Sequence, residues 1–242
     1  MVSFEGVAEE YDAGRPGYPA GVFDALEPLA GARVVEGGAG TGIATRELLA
    51  RGARVVPVDI GPRLLRVALG HTTALTPVVA DGAVLPLRDG CADVVCFAQS
   101  WHWLDHERRC GEMARVLRPG GRWAGWWSHA RADGEPWYDD YWSLVEAACP
   151  GTVRTMRDTD WGEGVRASGL FDVGDRVTVA WERRLPVELW LTDQASHSYV
   201  AALAAVDREA LLAGLRRVLD GRFPDGHLRV PYETWLWVGR RR

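Results

Sequence analysis

The chain has 242 residues, 47% of them apolar and 25% charged, which is the composition of a folded globular protein rather than a disordered one. A formal net charge of −5 argues against nucleic acid as the main partner, and no apolar run is long enough to span a membrane. The four Cys (91, 96, 110, 149) have no metal-ligand spacing and the opening MVSFEGVAEEYD has no secretory pattern, so a reduced, cytoplasmic, metal-free protein is expected.

All 28 basic residues are Arg, and Asn is absent, as in proteins from GC-rich genomes; this says nothing about mechanism. Twelve Trp outnumber Phe and Tyr together, and many lie outside the predicted strands.

Residues 4–19 (FEGVAEEYDAGRPGYP) are broken by Pro16 and Pro19, with Tyr11, Arg15 and Tyr18 beside the breaks. They read as an arm that either pins the N-terminus or lids a pocket. A short helix, 20–29, leads into an apolar strand, 33–35, that ends in Glu36. Gly37, Gly38, Gly40 and Gly42 follow, then a helix over 43–50. Strand, glycine turn and helix together offer unpaired backbone N–H groups and a turn that a ligand can approach closely. Neither glycine frame completes the G-x-G-x-x-G of a dinucleotide site; acid-x-Gly-x-Gly-x-Gly stands instead. A tight connection with no ligand is the bland alternative.

A second strand, 54–59, ends in Asp59 about twenty residues beyond the glycine turn, where an acid meets ribose hydroxyls. A strand-end cap before Gly61-Pro62 is the competing reading. A third strand runs into Asp81-Gly82, where an Asx turn is the bland reading. A fourth, 92–98, runs into Gln99-Ser100-Trp101-His102-Trp103. A helix over 106–117, the turn Arg118-Pro119-Gly120-Gly121 and a fifth strand, 122–128, complete the alternation. Beyond it the pattern predicts helices at 136–148 and 161–169 and a long strand at 173–184. Two helices across 193–220, split near Asp207, and a last strand at 227–240 follow.

Glu36-x-Gly38-x-Gly40-x-Gly42 resembles the first motif of class I S-adenosylmethionine (SAM) methyltransferases. The FxxxAxxYDxxRPxYP opening, Asp81-Gly82-Ala83, the AQxxHW segment at 98–103 and the LRPGG before the fifth strand are similar to the type 11-like bacterial small-molecule members. The resemblance is strongest from 4 to 128. It implies a Rossmann-like, seven-stranded, mostly parallel sheet with an antiparallel final strand, helices on both faces and a small helical substrate cap. One domain is expected over 1–242, with an N-terminal arm and helix (1–30), a SAM-binding core (31–128) and cap elements at 129–172 and 190–222. The cofactor contacts it implies are Tyr11, Arg15, Glu36, Gly37, Gly38, Gly40, Asp59, Ile60, Asp81, Gly82, Ala83 and Gln99.

Methyl transfer from a sulfonium is an in-line displacement, so alignment and a dry pocket account for most of the rate. A base is needed only where the acceptor must lose a proton. His102, at the sheet's carboxyl edge, is the candidate; a backbone hydrogen bond is its alternative role. His129 and His197 are weaker candidates. Trp101, His102, Trp103, Trp127 and Trp137 are expected at the substrate, with Trp126 and Trp142 as further rings for an aromatic wall, although Trp is more often core. The expected reaction is methyl transfer to a planar, aromatic or heteroaromatic small molecule in specialised metabolism such as antibiotic biosynthesis, by a monomer or homodimer. An NAD(P)-dependent oxidoreductase and a SAM-binding protein without methyl transfer are the alternatives.

Overall fold

Val34, Val35, Val55, Val58, Val94 and Val95 are all buried, and these β-branched runs form the centre of an eight-stranded sheet. The computed structural model describes residues 12, 14, 15, 17–72, 75–150 and 159–242. Strands β1 (Arg33–Gly37), β2 (Arg54–Asp59), β3 (Val78–Val79), β4 (Ala92–Ala98) and β5 (Leu117–Ala130) pair in parallel in the order β3-β2-β1-β4-β5. Helices α1 (Ala20–Asp24), α2 (Ile43–Ala50), α3 (Pro62–His71) and α4 (Arg109–Val116) come before or between them. Strand order reverses between β1 and β4, which places the ligand crevice of such a sheet at their carboxyl ends.

The sheet continues through β8 (His227–Arg241) to β6 (Phe171–Val173), which runs antiparallel to β8, and β7 (Val177–Pro186) also pairs with β8. Eight strands replace the expected seven because the strand predicted at 173–184 divides at residues 174–176 around Gly174-Asp175. The helix predicted to split near Asp207 instead starts there. The break is at 202–204, between α8 (Ser198–Ala201) and α9 (Ala205–Arg222), and α7 (Val187–Ala195) precedes both. Arg118–Gly121 is not a plain turn. It bulges between Leu117, paired with Ala92, and Arg122, paired with Val94.

The chain divides into two compact units. The sheet unit holds Gly17–Ser128, Asp160–Val179 and Thr234–Arg242. Alternate residues of its strands serve two separate cores. Val35, Val95, Phe97 and Trp123 pack on one face with Trp101, Met113 and Trp237. Val34, Val94, Cys96 and Ala124 pack on the other with Ala44, Leu48 and Trp126. Helix α6 (Glu163–Ala167) adds Val165 to the first core.

The helical unit comprises His129–Thr159, Ala180–Glu233 and the described part of Met1–Pro16. Its core joins α5 (Pro136–Ala148), α7 and α9 through Trp137, Tyr138, Tyr141, Trp190 and Leu215. Inside it the Arg183 guanidinium donates to Asp193 Oδ2 at 3.0 Å and to the Gly14 carbonyl at 2.6 Å, and Arg15 Nε is 3.5 Å from Asp193 Oδ1. No helix among the described residues is long and apolar enough to cross a membrane.

Candidate active site

The glycine turn is held from three sides, all within the sheet unit. Gly37 leaves no room for a side chain: a Cβ there would lie 2.2 Å from Phe97 Cε1. Gly38 has φ +64°, and its Cβ would meet Ser100 Cβ at 2.4 Å, so only glycine allows β1 to turn under the β4 loop. The Ser100 hydroxyl donates to the Gly37 carbonyl at 2.7 Å and closes that approach. A Cβ at Gly40 would instead meet nothing within 4 Å, so the turn presents bare backbone to open space.

Glu36 lies beneath this turn rather than on it. Its carboxylate is 1% exposed and accepts from the Thr45 hydroxyl on α2. Burial pushes its pKa up to about 8; the Thr45 hydrogen bond opposes this, while the Asp59 charge adds to it. Asp59 is more committed than its sequence position indicated. Oδ2 accepts from the Gly40 N–H at 2.9 Å and Oδ1 from the Gly61 N–H at 2.7 Å, so it braces the turn from both oxygens.

Asp81 forms the Asx turn, accepting from the Ala83 N–H at 2.8 Å. Ala83 is buried and its amide is engaged in this turn. Gln99 is the one described non-glycine residue with positive φ, +55°, directly at the end of β4. Ile60 and Val84 expose apolar side chains (54% and 55%) beside Asp59 and Asp81. Apolar flanks, strand-end acids and a bare glycine turn together fit an adenosyl group. Tyr11 lies outside the described residues. Arg15 pairs with Asp193 inside the helical unit.

The aromatic residues separate into three kinds. Trp101 is wholly buried, 4.8 Å from Phe97 and 5.1 Å from Trp123, so it supports the site as core and presents no face to a substrate. Trp137 likewise fills the helical core against Trp190 and Phe223. Trp126 is core beside Phe23, and Trp142 packs on Tyr138. Around His102 the rings gather. Trp103 is half exposed at 4.7 Å, and Trp161 is at 5.5 Å. Trp127, stacked on Trp161 at 4.9 Å, donates its Nε1–H to His102 Nδ1 at 3.3 Å. Burial and the charge of Arg109 bring the His102 pKa down to about 4. His197 is partly buried in the helical unit, where Nδ1 meets the Tyr199 hydroxyl at 2.7 Å, and His129 lies in that unit too.

Thr45, Ser100, Arg109 and Trp161 were not singled out by sequence. Thr45 and Arg109 read as ordinary helix positions, and Trp161 reaches His102 across 59 residues of chain with no local signal. A separate cleft of about 720 Å³ lies between α7 and α9, walled by Leu191 and Leu212 with Arg208 and Arg217. It contains none of the predicted site residues, and the strand-end chemistry outweighs its size.

A sheet of this order with a glycine turn after β1 and acids after β2 and β3 is the architecture of a nucleotide-type cofactor fold. A methyltransferase-domain family model matches residues 35–124. An uncharacterised methyltransferase of Mycobacterium tuberculosis (strain H37Rv) is 35% identical over 240 residues, covering 96% of this chain and 93% of its own. A demethylmenaquinone methyltransferase of Mycolicibacterium vanbaalenii is 34% identical over 128 residues, 49% of this chain and 55% of that one. Among solved structures, one from Anaeromyxobacter dehalogenans assigned as a type II methyltransferase superposes with a TM-score of 0.70 at 25% identity, covering 94% of this chain and 97% of that one. The chain belongs to the class I SAM-dependent methyltransferases. SAM is its cofactor.

Proposed function

We propose that this methyltransferase acts on a small, planar, aromatic or heteroaromatic acceptor in specialised metabolism. The observation that carries the reading is the ring arrangement at His102: Trp127 and Trp161 stack within 17° of parallel, and Trp103 is half exposed beside them. Flat faces of this kind suit a flat substrate and exclude water from a displacement. When bound, SAM supplies an activated methyl carbon. The chain's own residues hold the nucleoside: Asp59 toward the ribose hydroxyls, Asp81 and the Gly82 amide toward the adenine edge, and Ile60 and Val84 against its faces. Gly38, Gly40 and Gln99 frame the remaining backbone contacts.

Release of S-adenosylhomocysteine against a panel of phenols, aryl carboxylic acids, heteroaromatic amines and aliphatic controls tests this. Turnover restricted to planar acceptors, with quenching of Trp fluorescence, is expected. Turnover on aliphatic acceptors alone would refute it. SAM binding with no turnover on any acceptor would favour a binding protein without methyl transfer. The genes neighbouring its own test the place in specialised metabolism.

A further inference from the structure

The hydrogen bond between Trp127 and His102 fixes more than the ring's position. An indole Nε1 carries a hydrogen and has no lone pair to offer, so at 3.3 Å it donates and His102 Nδ1 accepts. The single hydrogen of a neutral imidazole is then on Nε2. Nε2 has no hydrogen-bond partner among the described residues. His102 therefore carries its donor on Nε2, and the lone pair that would take a proton is covered by Trp127.

Arg109 adds a second observation. Its side chain is buried, with the guanidinium carbon 4.7 Å from the Trp101 ring centroid. Nη1 donates to the Trp101 carbonyl at 3.0 Å, and Nη2 is 3.3 Å from His106 Nδ1. No carboxylate pairs with it among the described residues. A buried cation without a counter-ion favours an anion nearby, and its charge already acts on His102.

We propose that the acceptor is a planar two-oxygen anion, a carboxylate or a vinylogous acid, received by the His102 Nε2–H in the field of Arg109, with no proton transferred to the protein. This rests on the methyl-transfer reading above. One oxygen takes the Nε2–H. The other gives a lone pair to the methyl carbon as the carbon–sulfur bond breaks, and that bond's electron pair stays on sulfur. Anion and sulfonium become two neutral products, a charge cancellation that a dry aromatic pocket assists. His102 is then a substrate-binding donor, and Trp127 is the positioning residue that fixes its tautomer.

Two measurements test this. Long-range ¹H–¹⁵N spectra of His-labelled protein are expected to place the hydrogen of His102 on Nε2, with W127F mixing the two tautomers. With S-adenosylhomocysteine present, benzoate is expected to bind at least tenfold more tightly than the uncharged benzamide. H102Q, whose amide N–H can replace Nε2–H, should keep that preference and H102A should lose it. A hydrogen on Nδ1, or benzoate binding no tighter than benzamide, would overturn the proposal. Absence of S-adenosylhomocysteine binding by calorimetry would instead count against the methyl-transfer reading, and the tautomer spectrum reads independently of it.

Discussion

Replacing Glu36 by Gln tests how the floor of the glycine turn is built. The folded carboxyl ionises near pH 8, against a reference of 4.5, chiefly because it is buried. A carboxyl whose folded pKa lies above its unfolded one stabilises the fold in full below pH 4.5, and that contribution is lost as pH rises through about 8. At about 1.4 kcal/mol per tenfold, the wild type should lose roughly 3–4 kcal/mol relative to E36Q between pH 5 and pH 8. The amide oxygen can still accept from Thr45, so little else changes. Urea unfolding of both proteins at several pH values reads the difference directly. Wild-type and E36Q stabilities that run parallel across this window would refute the account of a buried, neutral Glu36.

Three further outcomes follow from the same geometry. D59A should weaken SAM binding by about 1–3 kcal/mol, the range for a lost charged hydrogen bond, with D59N milder because one acceptor remains; calorimetry measures both. G38A should lower thermal stability by about 2–4 kcal/mol, from left-handed strain together with overlap on Ser100; an unchanged melting temperature would count against the tight turn. D193A should cost about 3–5 kcal/mol in chemical unfolding, because it leaves Arg183 buried without its carboxylate, while D193N recovers part of the loss.

The sheet was legible because its signals are local. Strands β1, β2 and β4 are apolar runs closed by Glu36, Asp59 and Gln99, and each falls within a residue or two of its predicted place. Signals set by distant packing were not. Nothing near Glu36 in sequence reveals that Thr45 turns back to cover it, and an acid at a strand end reads alike whether solvated or buried. Asp59 stands out by its position at a strand end, but its bonds to Gly40 and Gly61 depend on the folded turn. The Trp residues show the limit most plainly. Trp101 and Trp103 are two apart and read as one pair, yet the first is wholly buried and the second half exposed, because the short 3₁₀ turn between them points them in different directions.

The hydroxyl of Ser100 fastens the loop after β4 to the carbonyl of Gly37 at the end of β1. These are the neighbouring strands on either side of the reversal in strand order, so the bond works as a clasp across the mouth of the crevice. A ligand that needs a wider mouth must either open the clasp or carry both strand ends with it. Any widening of that mouth therefore begins at Ser100, whose hydroxyl S100A removes.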